Sequence, residues 1–305
     1  MSARPLKPGE MYPALIAGVT ARFVDLPTGV RIRIAESGAR GRPPVVMLHG
    51  WGASLYTFRH ALELLRARGF HVIAADMRGF GLSSHPDGKG AYTLEAYADD
   101  LDALLDVLAL PERPSLVGHS MGGGIALHFA LEQPTRVRAL ALIAPTGIVR
   151  TPAVLAVRIA PRSVAEAVGE RVITRRVVRM ILEHIAFGDI SHVTPRDVEE
   201  YWAPTQIEGY IRAVRGTAAE FDWRPLSGAT MRSLSVPVAV VLGTRDRLVR
   251  HAGTSARRLA GSAVYEISGG HCIHEERPGE VYEVIGAHLV RHSALDTDGP
   301  GVSII

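Results

Sequence analysis

Hydrophobic positions along the chain fall into short unbroken runs separated by longer stretches of helical period. Residues 45–48, 70–75, 115–117, 137–143, 236–242 and 263–267 are apolar runs of strand length, the pattern of strands covered on both faces. Two segments near the start, 22–26 and 30–36, alternate apolar and polar residues around Pro27-Thr28-Gly29 and read as an antiparallel hairpin. Between the runs lie helical patterns at 54–68, 93–108, 121–132, 254–260 and 278–291. The second puts Leu94, Tyr97, Leu101, Leu104, Leu105 and Leu108 on one face. Strands alternating with helices predict an α/β class fold, a mostly parallel central sheet flanked by helices.

The alternation stops between Pro145 and Pro225. This span holds helical patterns at 164–183, 195–202 and 206–220, no buried strand, and the aromatic residues Phe187, Tyr201, Trp202, Tyr210, Phe221 and Trp223. It predicts a helical cap, residues 146–225, inserted after the sixth strand and lying over the carboxyl edge of a core made of 1–145 and 226–305. Residues 1–18 are Pro-rich and weakly patterned and read as a loosely attached arm; 296–305 read as a frayed tail.

Composition narrows the picture in three ways. The chain has 305 residues, 47% of them hydrophobic, enough for a sizeable core without disulfides or metals. A net charge of +3 offers no broad basic field, so no nucleic-acid partner is expected; the cluster Arg175, Arg176 and Arg179 reads as a solvated helix face. Cys272 is the single cysteine, no run reaches roughly 18 apolar residues, and Met1 to Glu10 has no signal-peptide core, so the expectation is a cytoplasmic protein with no membrane span. Oligomeric state is not legible.

The candidate chemistry begins at Gly118-His119-Ser120-Met121-Gly122, which lies between an apolar strand and a helix. A strand, a sharp turn and a helix together hold a serine hydroxyl clear of the backbone at a helix N-terminus, where partial positive charge favours a developing oxyanion. A serine hydroxyl needs a base, and the base needs a group that fixes its tautomer. His271 sits in a Gly-rich loop after the strand 263–267 and is the expected base, with His274 supporting that loop. Asp246, directly after the strand 236–242, is the expected acid. The order Ser120, Asp246, His271 is that of a hydrolase with a strand-end triad. The oxyanion would rest on the amides of Met121 and Trp51, whose side chains would line an acyl pocket. No spacing suits a metal, and the Gly-rich turn does not match a nucleotide loop, so no cofactor is expected.

Taken together, His49-Gly50-Trp51-Gly52, Asp76-x-Arg78-Gly79-x-Gly81-x-Ser83, Gly118-His119-Ser120-Met121-Gly122-Gly123, Gly243-x-x-Asp246 and Gly270-His271-x-x-His274-x-Glu276-x-Pro278 resemble the α/β-hydrolase family over roughly residues 20–292. The resemblance implies the α/β-hydrolase fold with Ser120 as nucleophile, Asp246 as acid, His271 as base and oxyanion amides from Trp51 and Met121; Asp76 and Arg78 match a loop that is mostly structural. Within the family the motifs are similar to small-molecule carboxylesterases, to esterases grouped with cofactor-free haloperoxidases, and to carbon–carbon bond hydrolases. Epoxide hydrolases and haloalkane dehalogenases of this fold carry aspartate where Ser120 stands. Carbon–carbon hydrolases usually have a Gly-rich stretch after the His-Gly and asparagine before the serine, where this chain has Trp51 and His119. The expectation is therefore a serine hydrolase of small to medium hydrophobic carboxylic esters. Carbon–carbon, lactone or thioester cleavage, and a ligand sensor on the same scaffold, remain the alternatives.

Overall fold

A computed structural model of the chain describes residues 4–14, 16–150, 173–250 and 252–293. Eight strands form one sheet in the order β1-β2-β4-β3-β5-β6-β7-β8: β1 (Val19–Asp25), β2 (Arg31–Ser37), β3 (Pro44–Leu48), β4 (His71–Asp76), β5 (Ser115–His119), β6 (Leu140–Ile143), β7 (Val238–Gly243) and β8 (Ala263–Ile267). β2 is antiparallel to both β1 and β4, and the six strands from β4 to β8 run parallel. Their carboxyl ends therefore share one edge. The chain passes from β3 outward to β4 and then back across to β5, so the strand order reverses between β3 and β5. Loops diverge at such a switch point and leave a crevice.

Alternate residues of each strand serve opposite faces of the sheet. Val46, Leu48, Leu116, Leu142 and Val240 belong to the core beneath α2 (Leu94–Leu108) and α3 (Met121–Glu132). Val45, Met47, Val117, Ala141 and Val241 belong to the core beneath α1 (Arg59–Ala67) and a long final helix (Pro278–Arg291). Thr93 caps α2 by accepting from the Ala96 amide at 3.2 Å, and its buried Tyr97, Leu101, Leu104 and Leu105 are the predicted stripe.

The segment after β6 is helical where it is described: α4 (Arg175–Ile181), running into a single π turn (Leu182–Ala186), then α5 (Pro195–Trp202) and α6 (Tyr210–Glu220). The part of the first predicted helix from 164 to 172 lies outside the described residues. α6 begins at Tyr210 rather than 206 because 203–206 forms a tighter turn and Gly209 has φ +86°. α7 (Gly228–Arg232), α8 (Ala252–Ala256), α9 (Ile273–Glu276) and α10 (Pro278–Arg291) complete the chain, and the predicted tail lies outside the described residues. No described helix is long and apolar enough to cross a membrane.

Three expectations need correction. β6 is four residues long rather than spanning 137–143, because its ladder partners begin only opposite Leu140, at Leu116 of β5 and Val238 of β7. The arm is docked rather than loose: Met11 and Tyr12 are buried, the Tyr12 amide donates to Glu200 Oε1 at 2.8 Å, and Arg33 donates to the Tyr12 carbonyl. Arg175 is not a solvated charge either. It pairs with Glu199 and stacks 3.7 Å over the Trp202 ring, fixing α4 to α5, whereas Arg176 is exposed.

Candidate active site

The turn between β5 and α3 places Ser120 at φ +52°, ψ −115°, a backbone state that non-glycine residues rarely hold. Its neighbours show how that state is enforced. The Ser120 amide donates to Ile143 O at 2.9 Å, and its carbonyl accepts from the amides of Gly124 (3.1 Å) and Thr146 (3.0 Å). A Cβ on Gly118 would stand 2.4 Å from Gly122 O, and one on Gly122 would stand 2.1 Å from Leu48 O. Only glycine lets β5, α3 and β3 approach this closely. Ser120 is partly exposed, and its Oγ has no hydrogen-bond partner among the described residues.

β7 and β8 deliver the other two groups to the same edge. Asp246 Oδ2 accepts from His271 Nδ1 at 2.8 Å, and Asp246 Oδ1 accepts from the amides of Leu248 (2.7 Å) and Val249 (2.9 Å). Both side chains are nearly sealed from solvent. Burial alone would raise the Asp246 pKa, but the His271 charge, its hydrogen bond and the two amides outweigh it, and the carboxyl lies below its ordinary value. Since Nδ1 carries the proton shared with Asp246, Nε2 is the free nitrogen. The loop that carries His271 also touches the end of β5: His119 Nε2 donates to the His271 carbonyl at 3.1 Å, one residue from Ser120, with the two rings 4.8 Å apart. Ser120 and His271 are not hydrogen-bonded to each other; such contacts are often long in a free enzyme and tighten on a bound substrate.

The Trp51 and Met121 amides lie on opposite sides of the switch point, after β3 and at the start of α3. Neither donates to a backbone carbonyl among the described residues. The Met121 side chain differs from expectation. Met121 is fully buried in the core and lines no open pocket, because the first turn of α3 is covered by the sheet. The Trp51 indole donates to Val214 O of α6 at 3.1 Å and meets Trp223 edge to face at 6.1 Å, tying the loop after β3 to α6 and to Trp223.

His274 stands apart from the pair. It is fully buried, with Nε2 2.7 Å from Thr57 Oγ1; since Thr57 donates its own proton to Glu275 Oε1 (2.7 Å), His274 must be the donor, protonated on Nε2. Burial holds it, like His119, well below the usual imidazole pKa. His49 is likewise a neutral structural group: Nδ1 donates to Gly50 O (2.8 Å) and Nε2 accepts from the Met77 amide (3.0 Å). Asp76 accepts from the Leu55 and Leu82 amides, and Arg78 forks onto Asp100, which gives both a structural part in the loops around the site. The contacts of His119, Thr57, Glu275 and Glu276 escaped sequence reasoning, although His119 and Glu276 stood in motifs. Among the described residues no three His, Cys, Asp or Glu side chains converge as metal ligands would. A groove of about 700 Å³ between the arm and α1, lined by Tyr12, Tyr56, His60 and Arg196, shares no residue with this rim.

Residues 43–164 match the family model described as the alpha/beta hydrolase fold. Epoxide hydrolase A of Mycobacterium tuberculosis is 28% identical over 306 residues, spanning 86% of this chain and 94% of the relative. An uncharacterised protein of Mycobacterium bovis is 31% identical over 284 residues, spanning 83% of this chain and 76% of the relative. Among solved structures, epoxide hydrolase A of Mycobacterium thermoresistibile superposes with a TM-score of 0.72 at 24% identity, covering 89% of this chain and 98% of that one. A serine hydrolase involved in carbazole degradation superposes at 0.74 and 24% identity, covering 90% and 99%. The chain belongs to the α/β-hydrolase family, and a hydrolase role follows from that membership.

Proposed function

We propose that this hydrolase cleaves carboxylic esters of small to medium hydrophobic substrates, with Ser120 as nucleophile, His271 as base and Asp246 as the acid that orients it. The observation that carries the reading is the pairing of a serine on a strained strand-to-helix turn with a buried Asp246–His271 dyad at the same sheet edge. His271 Nε2 takes the Ser120 proton as Oγ attacks the ester carbonyl, and Asp246 stabilises the imidazolium. The tetrahedral oxygen is held by the Trp51 and Met121 amides, at a site where the N-terminus of α3 adds favourable field. His271 then protonates the departing alcohol and activates the water that releases the acid. The helices within 146–225 act as a cap that shapes the acyl site.

Relatives named epoxide hydrolase do not carry that chemistry over to this chain. Opening an epoxide with a carboxylate leaves an ester, which water can cleave; opening it with Ser120 would leave an ether, which it cannot. Hydrolysis of p-nitrophenyl acyl esters of increasing length tests the proposal. Ser120→Ala should lower kcat by about four to six orders of magnitude with the fold intact. An undiminished rate in that variant would overturn the assignment, and a wild-type preference for a carbon–carbon dienoate substrate would move it to that alternative.

A further inference from the structure

Glu276 has no task in the reaction above, yet its buried carboxylate sits at a joint between two segments. Oε1 accepts from the Gly270 amide at 2.7 Å, immediately before His271, and from the Gly188 amide at 2.9 Å; Oε2 accepts from the Asp189 amide at 3.1 Å. One oxygen is thus shared between the base loop and the stretch 186–189 that follows α4. No Lys, Arg or His pairs with Glu276 among the described residues, so backbone N–H dipoles alone meet its charge.

The backbones on either side leave little slack. The Cys272 amide donates to Ala186 O at 2.9 Å. A Cβ on Gly188 would stand 2.6 Å from Gly270 N, and one on Gly270 would stand 2.3 Å from Gly188 N. On the opposite side, a Cβ on Gly243 would stand 2.0 Å from Gly270 O, and the Arg245 amide donates to Gly269 O at 2.8 Å. The loop that carries His271 is therefore clamped between the end of β7, which leads to Asp246, and the segment 186–189.

We propose that Glu276 is a positioning residue that sets the segment 186–189 in register with the base loop, so that the placement of the helical segment above the sheet governs how His271 meets Ser120. The inference rests on His271 being the base. Packed interfaces of this kind shift between discrete arrangements rather than deform smoothly, so loss of the shared oxygen should misplace the imidazole.

The test combines kinetics with amide hydrogen exchange on the full chain. Glu276→Ala should lower kcat for p-nitrophenyl butyrate about tenfold to a hundredfold, with KM within about twofold, since the ester site is untouched and only alignment suffers. Exchange should accelerate in 186–190 and 269–272 together, while β3 and β5 stay protected. Glu276→Gln can keep both Oε1 bonds through its amide oxygen and should recover most of the loss in kcat. Gly188→Ala presses on the same joint from the other side and should reproduce the kinetic defect, which keeps the test open if Glu276→Ala does not fold. An unchanged kcat in Glu276→Ala, an equal loss in Glu276→Gln, or faster exchange in only one segment would overturn the proposal. A wild-type chain with no esterase activity would instead overturn the functional reading, and the exchange measurements would still decide whether the joint exists.

Discussion

The turn that holds Ser120 and the loop that holds His271 reach the same sheet edge by opposite means. Residues 118–124 are held by their own backbone and by neighbouring β3 and β6, with glycines at the close approaches: Gly118 within the turn, Gly122 against Leu48, and Gly123 and Gly124 against Pro145 and Thr146. Residues 268–276 are held by backbone contacts to 186–188 and 243–245 and, in addition, by side chains: Asp246 on the imidazole, His119 on the carbonyl, Thr57 beneath His274, and Glu276 across to 186–189. The difference explains how His271 and His274, three residues apart, meet such different fates. One faces a carboxylate at the end of a loop; the other has entered α9 and is turned into the core against Phe58. Ser120 is placed by close backbone contacts with the adjoining strands, whereas His271 depends also on side chains brought in from elsewhere in the fold.

The largest test of this contrast is Asp246→Asn. It keeps an acceptor for the Leu248 and Val249 amides but cannot hold the imidazole tautomer, so kcat should fall by about a thousandfold to ten-thousandfold with little loss of stability. Steady-state kinetics beside a melting curve separates the two effects. Gly122→Ala attacks the other region through its backbone. With Leu48 O only 2.1 Å from the new Cβ, the turn must move, and stability should drop by about 3 kcal/mol in chemical denaturation. A well-folded, fully active Gly122→Ala would show that the turn tolerates more than this packing allows.

His274→Phe sharpens the comparison between the two histidines. It should cost about 1–3 kcal/mol because the buried Thr57 hydroxyl loses the Nε2–H that donates to it, yet leave kcat within about tenfold. Abolished activity there, with an active His271→Ala, would exchange their roles. The smallest effect per residue concerns pH. Burial lowers the pKa of His49, His119 and His274, so below about pH 6.5 the unfolded chain takes up protons that the folded chain refuses. Their neutral burial is therefore without penalty above that pH, and stability should fall as pH drops below it, by about 1.4 kcal/mol per unit for each histidine. Denaturation at pH 7, 6 and 5.5 should show the slope, and His274→Phe should flatten it. The lowered Asp246 acts in a separate window: its contribution is present above the ordinary aspartate pKa near 3.9 and is lost as pH falls further.

Much of the scaffold was legible because its causes are local. Unbroken apolar runs marked the parallel strands, and Thr93 and the Leu101–Leu104–Leu105 stripe marked α2. Strand ends located the candidate residues, since in a parallel sheet whatever follows a strand arrives at one edge. The arm was misread because Pro-rich, weakly patterned sequence gives no sign of a buried Tyr12; that side chain is held by Glu200 and Arg33, far away in sequence. Arg175 was misread for the same reason, since Glu199 and Trp202 approach it only once α4 and α5 pack.

Periodicity, glycine placement and the residue at each strand end thus determined the architecture and named Ser120, Asp246 and His271, because each depends on what a few adjacent residues can do. Tertiary structure alone decided which nitrogen of His271 meets Asp246, that His274 turns inward, and that one oxygen of Glu276 serves two segments. Those facts depend on groups as many as 217 residues apart arriving within a hydrogen bond of one another, and no local pattern in a chain encodes such a distance.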